Sequence, residues 1–367
     1  LGGDWNAFTS NADTTFVIEA PAKNQRKVLD LLLALLTQTR IDDNAINAAK
    51  RVVEREDGGH YTRLQRFLDR QDLGHTASNQ LAVELGLKCP QRAEVGHLTQ
   101  KQLEKVRKTW YAPNNMTLIV VGELDKLLPA YLERTWGTLE AVDPAQHREL
   151  PDIRTSAAHE RTLTRSFIGD SAKLHWLVPE PMLDDQYDET FDILKDYLDW
   201  ALYRQIRLNH GLSYGPWAER EVFGGVGFMS LNADVDRDDI DEARQVLEDL
   251  KADLLKNGLD PDTFARIKQA AIARQAWAVQ GNSALADYYW SALADYDDGR
   301  FADPARRLRA VTLKQANLAL KQLLEQPGYL RIEKPLLSYD QLVWILGAAV
   351  ALLFLGLLGW HLHHRHR

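Results

Sequence analysis

The sequence is short of cysteine, with Cys89 as the one thiol among 367 residues. A single cysteine cannot form an intrachain disulfide, and it cannot build a cysteine-rich metal site. One free thiol is compatible with either the cytosol or the periplasm, so this feature leaves the cellular compartment open.

Basic residues are scarce relative to acidic ones. The 44 lysines and arginines are outnumbered by 52 aspartates and glutamates, which gives a formal net charge of −8. Because binding to phosphate backbones requires a surplus of lysine and arginine, this balance argues against nucleic acid as a partner. The 45% of hydrophobic and 26% of charged residues are typical of a globular protein. The length corresponds to about two to three domains.

The start of the chain lacks both an initiator methionine and a signal-peptide pattern. Leu1 leads directly into a strand-like sequence, with no basic segment or apolar segment before it. Either the mature chain is processed at this point or the sequence is a fragment. The strand-like start favours a fragment, so we expect further sequence upstream of Leu1.

One long hydrophobic run is present, at residues 342–360, and it contains no charged residue. As a helix it would extend for about 28 Å, close to the ~30 Å hydrocarbon core of a bilayer. Trp344 and Trp360 lie near its two ends, as expected for aromatic residues at membrane interfaces. A buried core helix is the alternative, but little globular sequence remains nearby to bury it. We predict a single-pass membrane anchor.

The tail at 361–367 predicts the orientation of this anchor. Arg365 and Arg367 should stay on the cytoplasmic side by the positive-inside rule, which places the globular part on the outer side. The histidines of the tail could bind a metal, but a solvated basic tip is the favoured interpretation.

Apolar spacing and turn residues predict alternating strands and helices in both halves of the chain. The helix that begins at Thr99 should turn Leu103 and Val106 inward. In the first half we expect strands within 5–20, helices within 23–38 and 42–59, the helix from Thr99, and a buried strand at 114–124. In the second half we expect strands within 171–181 and 224–235, and helices within 187–207, 238–258 and 260–276.

The segment 310–334 echoes the segment 96–123, since each contains a threonine, a lysine–glutamine pair, a helix, a break and a strand. This indicates a weak internal duplication of an α+β unit. The order of elements predicts an α+β fold with two similar domains, each a mostly antiparallel sheet with helices packed on one face, plus a C-terminal transmembrane helix. The expected boundaries are 1–140 for the first domain, 141–162 for a linker, 163–336 for the second domain, 342–360 for the membrane helix and 361–367 for the tail.

The N-terminal sequence carries the motif Gly-Gly-x-x-Asn-Ala-x-Thr, formed by Gly2, Gly3, Asn6, Ala7 and Thr9. Together with the stretches WYAPNNMTLIVVGELD and RLNHGLSYG, it resembles the insulinase/pitrilysin family of zinc metallopeptidases, the inverted-motif enzymes with His-x-x-Glu-His. The resemblance extends over nearly the whole globular part. It implies hydrolysis of peptides or unfolded protein segments, with zinc as the cofactor. Together with the charge of the tail, it also implies a bacterial inner membrane with the globular part in the periplasm.

The resemblance also implies site residues in the first half. Asn6 and Ala7 would lie on an edge strand to which a peptide substrate adds by main-chain hydrogen bonds. The paired glycines would let the backbone approach the metal site and the ligand closely. Glu56 would be the third zinc ligand. The family often has another acidic residue seven positions earlier, but that position is Ala49 here, which weakens the support around the metal.

In the second half, Arg207, Gly211 and Tyr214 match the family's segment Arg-x-x-x-Gly-Leu-x-Tyr. The resemblance implies that Arg207 contacts the peptide backbone and that Tyr214 donates a hydrogen bond to the developing oxyanion. Because this pair is present together with its glycine, the second half has the form of an active family member.

The His-x-x-Glu-His motif itself is missing. None of the 11 histidines forms it, and His159 and His175 have no suitable partner. A catalytic zinc site needs three protein ligands, so Glu56 alone cannot build one. In the family the motif precedes the Gly-Gly strand. We therefore expect it upstream of Leu1, with the glutamate that acts as general base on zinc-bound water, and we expect this chain alone to be inactive.

Three functional hypotheses follow. The first is a membrane-anchored zinc metalloendopeptidase that holds its substrate extended between two similar domains. The second is a non-catalytic partner subunit of a heterodimeric peptidase or membrane complex, which Ala49 and the missing histidines favour and Glu56, Arg207 and Tyr214 oppose. The third is a peptide-binding module that uses the edge strand without cutting. A homodimer, or a heterodimer with another family member, is compatible with these hypotheses.

Overall fold

The computed structural model describes two compact units. Unit 1 consists of Leu1–His60, Gly86–Ile153 and Lys268–Val311, and unit 2 consists of Tyr61–Leu85, Arg154–Ile267 and Thr312–Arg367. The predicted domain boundaries stay predictions. The residues described are 2–9, 13–39, 41–56, 93–143, 159–164, 166–181, 188–223, 226–296, 300–301, 303–326 and 328–365.

Unit 1 begins with an antiparallel hairpin of β1 (Asp4–Thr9) and β2 (Thr14–Glu19). Gly3, directly before β1, packs so tightly that a Cβ there would lie 1.9 Å from the carbonyl oxygen of Glu19, so the position requires glycine. The described residues in the first part of this unit then form four helices: α1 (Gln25–Gln38), α2 (Asp43–Glu56), α3 (Gln100–Trp110) and α4 (Leu128–Thr135).

The helix starts of unit 1 follow local capping chemistry. Asp42 Oδ1 accepts a hydrogen bond from the Ala45 N–H at 2.8 Å, at the start of α2. Thr99 and Gln102 form a capping box at the start of α3, in which each side chain accepts from the other residue's backbone N–H. Both predicted helix starts are therefore confirmed.

Unit 2 is built on a five-stranded sheet with the strand order β3-β7-β4-β6-β5. β3 and β7 are parallel, and the other neighbouring strands are antiparallel. The sheet is therefore mostly antiparallel, as predicted for this half. The strands are β3 (His159–Thr164), β4 (Ser171–Pro179), β5 (Trp217–Phe223), β6 (Val226–Asp236) and β7 (Tyr329–Lys334).

The remaining helices follow in chain order. α7 runs from unit 2 into unit 1, α8 and α9 belong to unit 1, and the others belong to unit 2. Their bounds are α5 (Asp188–Leu202), α6 (Ile240–Asn257), α7 (Pro261–Trp277), α8 (Asn282–Ser291), α9 (Pro304–Ala310), α10 (Leu313–Leu324) and α11 (Tyr339–Arg365).

The core of unit 2 lies between the sheet and the helices α5, α6 and α10. Strand alternation directs Leu174 and Trp176 of β4 to this side, where both are buried. Lys251 of α6 lies 4.1 Å from the ring centre of Trp176. α10 begins with a capping box of Thr312 and Gln315, the same device that starts α3. The predicted echo between the two segments is thus present in their helix caps.

Two local predictions for unit 1 are wrong. Residues 116–121, within the predicted strand 114–124, are irregular, because no strand lies beside them in the described part of the chain to complete a ladder. Leu118 in this segment is 36% exposed, and Val106 of α3 is 51% exposed rather than turned inward. The sheet described in unit 1 has two strands, so the predicted similarity of the two domains stays a prediction.

α11 extends the predicted hydrophobic run at both ends. The 20 residues Tyr339–Leu358 have a mean hydropathy of 2.4, and none of the stretch is buried. Within the ranges that the structure describes, this is the one helix that is long and apolar enough to cross a membrane.

Candidate functional site

The strand β1 presents an open edge. Among the described residues it pairs with β2 on one side and with no strand on the other. All of its residues are exposed, including Trp5 at 71% and Phe8 at 57%. About half of the backbone N–H and C=O groups of such a strand point to the unpaired side, where an extended peptide can add as a new strand.

Asn6 and Ala7 lie side by side in β1, opposite Val17 and Phe16 of β2. The Ala7 N–H donates a hydrogen bond to Asn6 Oδ1 at 2.9 Å. Asn6 thus satisfies the backbone donor of its neighbour in the absence of a ligand. A peptide that binds through the Ala7 N–H would have to replace this bond with its own carbonyl oxygen.

An apolar groove runs between the hairpin and α1. Its volume is about 200 Å³, and its walls include Trp5 and Asn6 of β1, Phe16 and Ile18 of β2, and Leu31 and Leu35 of α1. Leu31 is 54% exposed and Leu35 is 38% exposed, so the groove opens to solvent. The groove can accept an apolar side chain next to the strand edge.

The second candidate group lies in unit 2, where the last turn of α5 widens into a π-helical turn, Tyr203–Asn209. π-helical turns are rare in proteins, and those that do occur are often at functional sites. Arg207 Nη1 donates to the carbonyl oxygen of Tyr214 at 2.6 Å. The Arg207 guanidinium carbon also lies 4.2 Å from the ring centre of Tyr214 and 4.9 Å from that of Tyr203. We call these three residues the Arg207 clamp.

The loop inside the clamp is held by its backbone. Gly211 has a φ of +68°, in the left-handed region that favours glycine. Its N–H donates to the Arg207 carbonyl oxygen at 3.1 Å, and the Leu212 N–H donates to the Ile206 carbonyl oxygen at 2.9 Å. The loop is therefore fixed, while the side chain of Tyr214 is 86% exposed and its hydroxyl is available to a ligand.

A charged cluster holds the elements on both sides of the clamp. Arg220 of β5 binds Glu180 at 2.7 Å, Asp192 of α5 at 2.9 Å, and Asp188. Glu180 is buried, and this burial raises the pKa of its carboxyl. Gly227 packs so closely against Glu180 that a Cβ at this position would lie 1.9 Å from the carboxylate. The cluster ties α5 to β5, the two elements that the clamp connects.

The structure brings together part of the predicted site. Arg207 and Tyr214 are in contact, although Arg207 binds the backbone of Tyr214. Asn6 and Ala7 lie next to each other in unit 1. The side chain of Glu56, at the end of α2, lies outside the described residues, so its role stays a prediction. Sequence reasoning missed Tyr203, although its position one helical turn before Arg207 was a usable signal.

The described residues do not assemble a metal site. They contain no group of three or more His, Cys, Asp or Glu side chains placed to hold a metal ion. His175 of β4 instead shares a hydrogen bond of 2.7 Å between its Nδ1 and Asn232 Oδ1. Burial lowers the pKa of this imidazole, which lies on the face of β4 opposite to Leu174 and Trp176.

Comparison with known sequences places this fold in a family. The family model described as "Insulinase (Peptidase family M16)" matches residues 1–91, and the one described as "Peptidase M16 inactive domain" matches residues 97–271. Together they match most of the chain. The chain belongs to the insulinase family of peptidases, M16.

Two named relatives are zinc proteases. "Uncharacterized zinc protease YmxG" of Bacillus subtilis (strain 168) is 19% identical over 347 residues, which cover 91% of this chain and 81% of the relative. "Probable zinc protease PqqL" of Escherichia coli (strain K12) is 28% identical over 158 residues. This second match covers 41% of this chain and 16% of the relative, so the matched segment corresponds to a small part of that protein.

Solved structures share the fold. The first half of the periplasmic protease PqqL from Escherichia coli superposes with a TM-score of 0.66 at 19% identity, covering 91% of this chain and 75% of that one. A protease from Helicobacter pylori superposes with a TM-score of 0.67 at 15% identity, covering 91% of this chain and 82% of that one. Both agree with the α+β architecture described above.

Proposed function

We propose that this protein is a membrane-anchored metalloendopeptidase of the insulinase family, and that the described residues bind and orient an extended peptide. The observation that carries the proposal is the Arg207 clamp. It holds Tyr214 on a fixed loop and leaves the Tyr214 side chain exposed. A side chain that contacts a substrate needs both features. The open edge of β1 supports the proposal as a place for peptide addition.

In this proposal the two groups of residues have different tasks. A peptide adds to β1 at Asn6 and Ala7, and its carbonyl oxygen replaces the bond between Asn6 Oδ1 and the Ala7 N–H. The groove beside β1 takes an apolar side chain of the peptide. The Tyr214 hydroxyl donates to the oxygen that becomes negative when the scissile carbonyl is attacked, and such donors stabilise the transition state.

Zinc is the cofactor proposed from the names of the relatives, and Glu56 is the one residue of this chain proposed as its ligand. The described residues supply no complete ligand set, so the metal's own chemistry is not assigned to them. The substrate class proposed is peptides or unfolded protein segments. The assembly proposed is a dimer, formed either by two copies of this protein or with another family member.

The proposed location is a membrane with the globular part in the periplasm. Support comes from α11, which is long, apolar and unburied. Further support comes from a relative of the same fold that is described as a periplasmic protease.

A non-catalytic partner subunit is the second candidate function. The observations that favour it are the absence of a metal-ligating group among the described residues and the presence of Ala49 where the family often has an acid. In this case β1 and the clamp would hold a peptide for another subunit to cut.

Replacing the Tyr214 hydroxyl separates these candidates. We expect Tyr214→Phe in the protein expressed from its complete gene to slow cleavage of an unfolded protein substrate by about 10²-fold, the typical cost of losing one oxyanion donor. Tyr296→Phe, which removes another exposed hydroxyl, is the matched control and should cleave at the normal rate. If the unmodified protein binds the substrate but leaves it intact, the peptidase proposal is wrong and a non-catalytic role is correct.

A further inference from the structure

The segment that leads from β7 into α11 is bound to the body of unit 2. The Leu336 N–H donates to the Ser166 carbonyl oxygen at 2.9 Å, and the Leu337 N–H donates to the Phe167 carbonyl oxygen at 3.0 Å. The Gly169 N–H donates back to the Leu337 carbonyl oxygen at 3.1 Å. This short ladder binds the segment that leads into α11 to residues 166–169 of unit 2.

Side chains reinforce the same connection. Arg237 donates through Nε to the Pro335 carbonyl oxygen at 3.0 Å and through Nη2 to that of Leu336 at 2.9 Å. The Tyr339 N–H donates to Asp170 Oδ1 at 3.0 Å. These bonds fix the first turn of α11 directly to unit 2.

The start of α11 is also capped. The Gln341 N–H donates to Ser338 Oγ at 3.1 Å, and Ser338 itself is 2% exposed. A buried cap stabilises the first turn and removes freedom at the junction. The direction in which α11 leaves unit 2 is therefore set by the fold.

Exposed apolar side chains surround this junction. We call Phe167, Ile168, Leu336 and Tyr339 the junction patch; their exposed fractions are 45%, 39%, 49% and 57%. Ile168 pairs with Leu337 as a parallel bridge, which places 167–168 about 5 Å from the chain that enters α11. The patch therefore lies at the level where the apolar surface of α11 begins, and it continues that surface onto unit 2.

We propose that the junction patch lies in the interfacial region of the bilayer that α11 crosses, and that it holds unit 2 against the membrane in one orientation. The occupant of the patch is lipid, because the patch is continuous with a helix that exposes apolar side chains on all sides. Tyr339 has the amphipathic ring that is favoured at this depth. The inference depends on the membrane anchoring proposed above, and it is independent of peptidase activity.

Spin-label accessibility tests this placement. In a Cys89→Ser background, nitroxides are attached to Phe167→Cys and Leu336→Cys, and the protein is inserted into vesicles of phosphatidylethanolamine and phosphatidylglycerol. For each label, the ratio of its accessibility to oxygen over its accessibility to a water-soluble nickel chelate is measured. We expect this ratio to be several-fold higher at positions 167 and 336 than at Val222→Cys. Val222 is 57% exposed on β5, the edge strand opposite β3, and is the matched control.

A label at Val350→Cys, within α11, tells the possible failures apart. If this label lies in the bilayer while those at 167 and 336 match Val222→Cys, the anchor is correct and the junction patch is not a membrane contact. If the label at 350 is in water, both the anchor and the patch proposal are overturned.

Discussion

At the residue scale, Arg207 is the side chain whose surroundings say most about this protein. The family resemblance implies that Arg207 and Tyr214 both act on a peptide, and these roles stay predictions; the structure shows that the two residues contact each other. The family pattern did not predict that Arg207 would donate to the backbone carbonyl of Tyr214, or that its guanidinium would lie beside the ring of Tyr203. A sequence pattern records which residues recur, whereas the partners of a guanidinium depend on how a loop folds back.

Gly211 should carry a measurable part of the clamp's stability. An alanine at φ +68° costs about 1–2 kcal/mol of unfolding free energy, because its Cβ approaches the following carbonyl oxygen. We expect Gly211→Ala to lower the denaturation midpoint accordingly. Gly215→Ala is the matched control: neither glycine has an atom within 4 Å of an added Cβ, but Gly215 lies outside the left-handed region. Equal effects of the two substitutions would contradict this account.

At the element scale, local chemistry was predictable and partner-dependent structure was not. The helix starts near Asp42 and Thr99 were predicted, because a cap is formed by residues a few positions apart. The strand at 114–124 was predicted from its β-branched and apolar residues, but a strand exists only with a neighbour to bond to. The prediction that Val106 turns inward was wrong for a related reason. Periodicity shows that a helix has an apolar face, but it does not show which element covers that face.

The sheet of unit 2 should show a pH-dependent stability through His175. Burial lowers its pKa below the ordinary value of 6.5, an effect that Arg331 and Lys173 add to and that Glu333 and the bond to Asn232 oppose. The unfolded chain therefore binds a proton more readily than the folded protein. The stability contributed by neutral His175 is complete above pH 6.5 and is lost as the pH falls through the lowered pKa.

Chemical denaturation between about pH 7.5 and pH 5 measures this effect. We expect the unfolding free energy to fall more steeply with decreasing pH for the unmodified protein than for His175→Asn, whose side-chain amide nitrogen can take the place of Nδ1 and donate to Asn232 Oδ1. The difference in slope is at most about 1.4 kcal/mol per pH unit, the value for one proton. Parallel curves for the two proteins would show that His175 does not titrate differently on folding.

At the scale of the whole molecule, family membership and the α+β fold were accessible from sequence, because Gly2, Gly3, Asn6 and Ala7 form a specific motif. The metal site was not accessible in the same way. Its proposed ligand Glu56 is one acidic residue on a helix, a position that is solvent-exposed in most proteins. A ligand is defined by the other ligands around the ion, and the described residues contain no such group.

Zinc content is the most direct test of the metallopeptidase account. It is measured by elemental analysis of the purified protein expressed from its complete gene, with Glu56→Gln and Glu54→Gln as a matched pair. Glu54 lies two residues earlier on α2, rotated by about 200° from Glu56. We predict stoichiometric zinc in the unmodified protein and in Glu54→Gln, and loss of zinc in Glu56→Gln. A complete protein without zinc, or undiminished zinc in Glu56→Gln, would contradict the account.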